Sequence, residues 1–174
     1  FMILLVTNHY YGVQHKDKLE HLADFLPINL GFIALVGASI LTNHVFSLNT
    51  LLIPFAFTVV SAAILIGSEF GILYAITSMF IVSPFINWET YTPVIYTLST
   101  IITIVMIKQQ KAHHEYLSIW FYLLFSSTLV NLAVSIYKSD PINVVFRNIG
   151  FGTISSAISI IGIIMVVPYY EKKW

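Results

Sequence analysis

The chain has 174 residues, 57% of them hydrophobic and 9% charged, with eight basic and eight acidic side chains and a net charge of zero. Soluble domains carry about 25% charged residues, so a chain this apolar needs lipid as its main solvent, and its neutrality excludes a strongly basic nucleic-acid-binding surface. Cysteine is absent, which excludes disulfides, thiolate metal sites and a cysteine nucleophile in these residues.

Residues 1–13 form an apolar run that begins abruptly at Phe1. As a helix it would cover only about 20 Å at 1.5 Å per residue. It has neither the basic start nor the small-residue cleavage site of a signal peptide. It reads as the end of a longer helix, and the chain as a segment of a larger protein. Six further runs follow, at residues 26–46, 51–67, 70–86, 91–107, 116–137 and 149–170. A bilayer core about 30 Å thick takes about 17–25 apolar residues per helix. Each run has that length, and none holds an interior Asp, Glu, Lys or Arg. The expectation is an all-α fold: one polytopic transmembrane helical bundle over residues 1–174, with six full spans plus a partial N-terminal one, of the seven-helix type.

The connections, at residues 14–25, 47–50, 68–69, 87–90, 108–115 and 138–147, are short, which makes successive helices antiparallel neighbours. Ser68-Glu69, flanked by Gly67 and Gly71, reads as a tight turn between two spans. Lys16, Lys18, Lys108, Lys111, Lys172 and Lys173 fall on one side of such a bundle, and Lys138 and Arg147 on the other. The positive-inside rule then places the C-terminus in the cytoplasm and the N-terminus outside. Tyr10, Tyr11, Trp88, Tyr137, Tyr169 and Tyr170 fall at run ends, where interfacial aromatic belts form. No internal repeat suggests an inverted-repeat transporter.

A site inside a membrane is usually marked by an ionisable residue at mid-depth, and none occurs here. Glu69 reads as an interfacial charge in a turn, with ion or proton handling as the alternative. With Glu69, Asn29 and Asn131 are the candidate polar intramembrane positions. Such residues usually hydrogen-bond a neighbouring helix, for about 0.6–2 kcal/mol, and otherwise line a polar cavity. His113, His114 and Glu115 are the densest set of metal-ligand residue types, with His15 and His21 on the same side. Adjacent histidines point about 100° apart on a helix and lack the i, i+4 spacing that grips one ion. No catalytic, cofactor-binding or metal site is therefore assigned. Small residues are more telling: Ala34 with Ala38, Ala63 with Gly67, and Gly152 with Ser156 are each spaced i, i+4 and let helix backbones approach closely. They read as contacts inside the bundle, with a homo-oligomer seam as the alternative. Pro54, Pro84, Pro93 and Pro168 lie near run ends and shape them.

Three stretches carry a family likeness. One is the Pro-led segment Ile53-Pro54-Phe55-Ala56 that runs on to Gly67-Ser68-Glu69-Phe70-Gly71. Another is the basic linker Lys108-Gln109-Gln110-Lys111 leading to a span with a deep Asn131. The third is the ending: Asn148, Gly150 and Gly152, a small-residue helix, then Pro168-Tyr169-Tyr170-Glu171. In these features the chain resembles the membrane domain of the bacterial seven-transmembrane HD-phosphohydrolase family. The resemblance implies an extracellular sensory domain before residue 1 and a cytoplasmic HD domain after residue 174 that hydrolyses cyclic di-AMP. It carries no catalytic residue onto this chain, and it places the protein in the bacterial cytoplasmic membrane. Two other readings fit the composition. One is a structural subunit of a larger membrane complex. The other is a small substrate-binding transporter subunit using Asn29, Asn131, Tyr96 and Trp120. Membrane lipid is the expected partner, with membrane proteins or further copies of the chain beside it and no nucleic acid.

Overall fold

A computed structural model describes residues 26–45, 49–86, 91–109 and 116–171. Among these the fold is all-helical: α1 (Leu26–Ile40), α2 (Phe55–Leu65), α3 (Ser68–Val82), α4 (Thr92–Gln109), α5 (Tyr116–Lys138) and α6 (Ile142–Glu171). The expected helix over residues 1–13 and the histidines at 113 and 114 lie outside the described residues. On length and composition, three helical stretches are able to cross a membrane, Ser68–Phe85, Tyr116–Lys138 and Ile142–Pro168. The apolar stretches Leu30–Asn43, Thr50–Leu65 and Thr92–Lys108 are shorter.

Several boundaries differ from the expected ones, and each difference has a local cause. The run over residues 51–67 is not one continuous helix. Proline has no N–H and disfavours helical geometry in the residue before it, so Pro54 splits the run into a 3₁₀ turn, Thr50–Leu52, and α2. The break is buried, with Leu51 and Ile53 each 1% exposed, as irregular backbone at membrane depth has to be. At the other end of α2, Gly67 takes φ 148°, which only glycine adopts easily. The chain therefore turns there, and Glu69 sits in the first turn of α3. α3 ends in a 3₁₀ turn, Ser83–Phe85, with Pro84 inside it. α1 widens into a π-helical turn, Leu41–Val45, and the Asn43 side-chain amide donates to the carbonyl of Phe85 at 3.1 Å. This bond ties the end of α1 to the end of α3.

The largest correction concerns the expected connection over residues 138–147. It shrinks to Ser139–Pro141, because α6 starts at Ile142 rather than at residue 149. Ser139 takes φ 56° and closes α5 by two backbone bonds, from its own N–H to Ile136 (3.1 Å) and from the Asp140 N–H to Ser135 (3.0 Å). This is the paired closure of a helix whose next residue is left-handed. Pro141 then lies just before α6, and its carbonyl accepts from Val144 and Val145. Arg147 thus lies in the second turn of α6, exposed. At 30 residues, α6 is about 45 Å long, longer than a bilayer core of about 30 Å is thick, and Arg147 lies near its start. Pro168, expected at a run end, is inside the last turn of this helix.

α2 is central and touches α1, α3, α4 and α6, while α3, α4, α5 and α6 pack each on the next. The surface is apolar, and the interior combines apolar clusters with many buried hydroxyls and one buried amide. Leu117, Phe121, Phe125, Leu129, Leu132 and Ile136 make an exposed stripe along α5. Ser126, Asn131 and Ser135 are buried on the opposite side of the same helix. With lipid as solvent such a surface is at home. The chain is an integral membrane protein, as its composition led one to expect.

Candidate functional site

At the break the Thr50 and Ile53 carbonyls accept backbone bonds from the Ile53 N–H (3.2 Å) and the Phe55 N–H (2.8 Å), and each takes a second donor from a side chain of another helix. Tyr96 of α4 donates its hydroxyl to the Thr50 carbonyl at 2.7 Å. Ser155 of α6 donates to the Ile53 carbonyl at 2.7 Å. The Thr50 and Thr92 hydroxyls pair at 3.0 Å, and the Asn49 side chain accepts from the Leu51 N–H at 2.9 Å. Three short polar contacts thus fasten the break to α4 and α6, and the Asn49 bond stays within it. Phe55, immediately after the break, stacks on Tyr96 with ring centroids 5.4 Å apart. Close by, Lys138 lies 4.0 Å from Asp140 and 5.4 Å from the centre of the Tyr91 ring, which itself meets Tyr137 edge-on.

Deeper in the bundle the polar line continues between α4, α5 and α6. Thr103 and Ser126 pair at 2.7 Å across α4 and α5. Asn131, 2% exposed, donates from Nδ2 to the Ser127 carbonyl at 2.8 Å and lies within 3.4 Å of the Ser127 hydroxyl. Its Oδ1 has no hydrogen-bond partner among the described protein atoms. Gly152 of α6 faces this pair so closely that a Cβ there would stand 2.7 Å from Ser127 Oγ and 3.2 Å from Asn131 Nδ2. Ser156 is buried one turn on and bonds back to the Gly152 carbonyl at 2.8 Å. α5 and α6 therefore meet along small and polar side chains. In lipid, close packing and inter-helix hydrogen bonds provide what hydrophobic burial provides in water.

The remaining expected positions are spread over the molecule. Ala63 of α2 packs on Gly71 of α3, whereas Gly67 serves the turn described above. Ala34 is exposed and Ala38 half-buried on α1. On that helix it is Gly31 that makes the close approach, 3.1 Å from its built Cβ to Thr58. Asn29 lies in α1. Glu69 is 3.9 Å from Lys108, and both side chains are largely exposed. This is an exposed pair far from Asn131 along the helices. Trp120 Nε1 is buried without a hydrogen-bond partner among the described residues, on a different part of α5 from the Asn131 cluster. No group of three or more metal-ligand side chains occurs among the described residues. Asn131 and the Gly152–Ser156 pair stand apart in the sequence, and the fold brings them together. The Ile53 and Thr50 carbonyls and Ser155 do not stand out in the sequence as an acceptor–donor set. The one available signal was Pro54, which interrupts an otherwise helical run.

A family model described as "7TM receptor with intracellular HD hydrolase" matches residues 1–173. No curated protein and no solved structure matches the chain.

Proposed function

Since the chain belongs to the family of 7TM receptors with an intracellular HD hydrolase, we propose that it is the signal-transducing part of such a receptor, crossing the membrane seven times. In this reading it couples an extracellular domain to a cytoplasmic HD-type phosphodiesterase that hydrolyses cyclic di-AMP. The N-terminus lies outside and the C-terminus in the bacterial cytoplasmic membrane's inner compartment, as the distribution of lysines suggests. The observation that carries the proposal is the seam of α6. The helix that leads toward the C-terminus is packed by large apolar side chains around Ile160, Ile163 and Val167, but around Gly152, Ser155 and Ser156 its contacts are small and polar. Such a joint has neighbouring arrangements of similar energy, and a signal is a bias between two of them. The charged side chains of the described residues lie toward helix ends, Arg147 within the second turn of α6, which fits a conduit better than an ion pathway.

The transporter reading receives less support. The cavity beside Asn131 and Tyr96 has a volume of about 20 Å³, against about 300–1,000 Å³ for small-molecule sites. A disulfide tests the proposal directly, because the chain has no cysteine of its own. In the native-length protein in nanodiscs, Ser127→Cys with Gly152→Cys joins α5 to α6 at their closest approach. Oxidation is expected to change cyclic di-AMP hydrolysis several-fold, and reductant to restore it. Unchanged hydrolysis at complete cross-linking, or no hydrolysis by the native-length protein, would sink the idea.

A further inference from the structure

The cavity between α4, α5, α6 and the broken run is lined by Leu51, Tyr96, Ser99, Asn131, Ser155 and Ser156 among others, and its volume is about 20 Å³. One water molecule needs roughly 10–15 Å³ and two to four polar partners. The walls are rich in acceptors. Ser99 gives its proton to the Tyr96 carbonyl, Ser155 to that of Ile53, Ser156 to that of Gly152, and Tyr96 to that of Thr50. These four hydroxyls therefore offer the cavity only lone pairs, while Ser127, which also lines it, accepts from Asn131 Nδ2 and can still donate. Asn131 adds the carbonyl oxygen Oδ1, buried and without a protein partner. Its orientation is fixed by chemistry, because a flipped amide would set Oδ1 against the Ser127 carbonyl that Nδ2 now serves.

We infer that this cavity is a binding site for one water molecule, which donates to Asn131 Oδ1 and to a serine hydroxyl of α4 or α6. A guest here has to be a donor and no larger than a water. A bare monovalent cation would also find lone pairs, but no carboxylate lines the cavity, and an uncompensated ion in a low-dielectric interior carries a heavy desolvation penalty. Water meets both demands. It also turns a costly orphan acceptor into a bridge between α5 and its neighbours. The inference rests on the packing of these helices and holds whether or not they transmit a signal.

The test uses the chain in nanodiscs with asparagine labelled at the side-chain carbonyl carbon, read by water-edited solid-state NMR. Asn131→Leu identifies the Asn131 signal by its loss. In the unsubstituted chain that signal is expected to take up magnetisation from an immobilised water, and to keep its position when sodium is replaced by choline. Ser99→Val, which fills the cavity and removes one acceptor, is expected to abolish the transfer while leaving the signal. Absence of transfer in the unsubstituted chain would overturn the inference, and that measurement decides alone if Ser99→Val does not fold. A signal that moves with sodium would overturn it in favour of a cation. Transfer undiminished in a folded Ser99→Val chain would overturn the location.

Discussion

The bundle holds two kinds of helix pair, and they differ in what makes them fit. Between α2 and α3 the contact is apolar and interlocked. Phe55, Val59, Ala62, Phe70, Tyr74 and Ala75 are all fully buried, Phe70 stacks on Tyr74 at 5.8 Å, and Phe32 of α1 meets Tyr74 edge-on. Large side chains in one rotamer set define one arrangement, and a densely packed interior resists small displacements. Between α5 and α6, Ile119 and Leu123 share an apolar cluster with Ile160, Ile163 and Val167, but around Ser127, Asn131, Gly152 and Ser156 the contact is small and polar, with a water-sized cavity beside it. Hydroxyls that can bond back to their own helix lose little when the neighbour shifts. One pair is thus a fixed frame and the other an adjustable joint. Neither property follows from hydrophobicity, since both pairs sit in the same lipid.

Substitutions at glycine separate the two most strongly. A Cβ at Gly71 would fall on the Ala63 Cβ and stand 2.9 Å from the Ala63 Cα, so backbone would have to move. Gly71→Ala is expected to destabilise the protein by about 3 kcal/mol, the upper part of the overpacking range. Adding Ala63→Gly should return most of that loss, measured by denaturant titration in mixed micelles. If the single substitution costs nothing, α2 and α3 are not the rigid frame. At Gly152 the obstacle is the far end of two polar side chains, which can turn aside. Gly152→Ala is expected to cost only about 1 kcal/mol, partly offset by the better helix propensity of alanine. Gly150 has nothing within 4 Å of its built Cβ, so Gly150→Ala serves as the control on the same helix and should stabilise by up to about 1 kcal/mol. A loss at Gly152 as large as at Gly71 would erase the distinction between joint and frame. The smallest effect belongs to the exposed pair of Lys108 and Glu69, 3.9 Å apart. Lys108→Gln should change stability by less than about 0.5 kcal/mol, and a larger change would show that this end of α3 and α4 is held by charge.

Much of the molecule was legible from residue types. The apolar runs mark the helices, and the absence of interior charge marks the solvent. Asn131, Gly152 and Ser156 stand out because polar or small residues at such depth need a packing or bonding reason. The run boundaries were legible only where charge or proline marks them. The start of α6 was misplaced because Asn143, Arg147 and Asn148 look like a polar loop, whereas a helix longer than the bilayer core is thick tolerates them near its start. Left-handed closure at Ser139 gave no warning either, since glycine is the usual residue there.

The sequence by itself determined the solvent, and with it an apolar surface. It determined where most helices run and that the runs hold no interior Asp, Glu, Lys or Arg. What faces what was decided by tertiary structure alone. A helix in water shows its buried side as an apolar stripe, but in lipid the outer side is apolar too, so apolar periodicity marks no inner face. Only packing reveals that the Thr50 and Ile53 carbonyls at the break accept from Tyr96 and Ser155, and that Gly152 lies against Asn131. Short-range shape and hydrogen-bond geometry select those partners, and both depend on residues that are far apart in the chain.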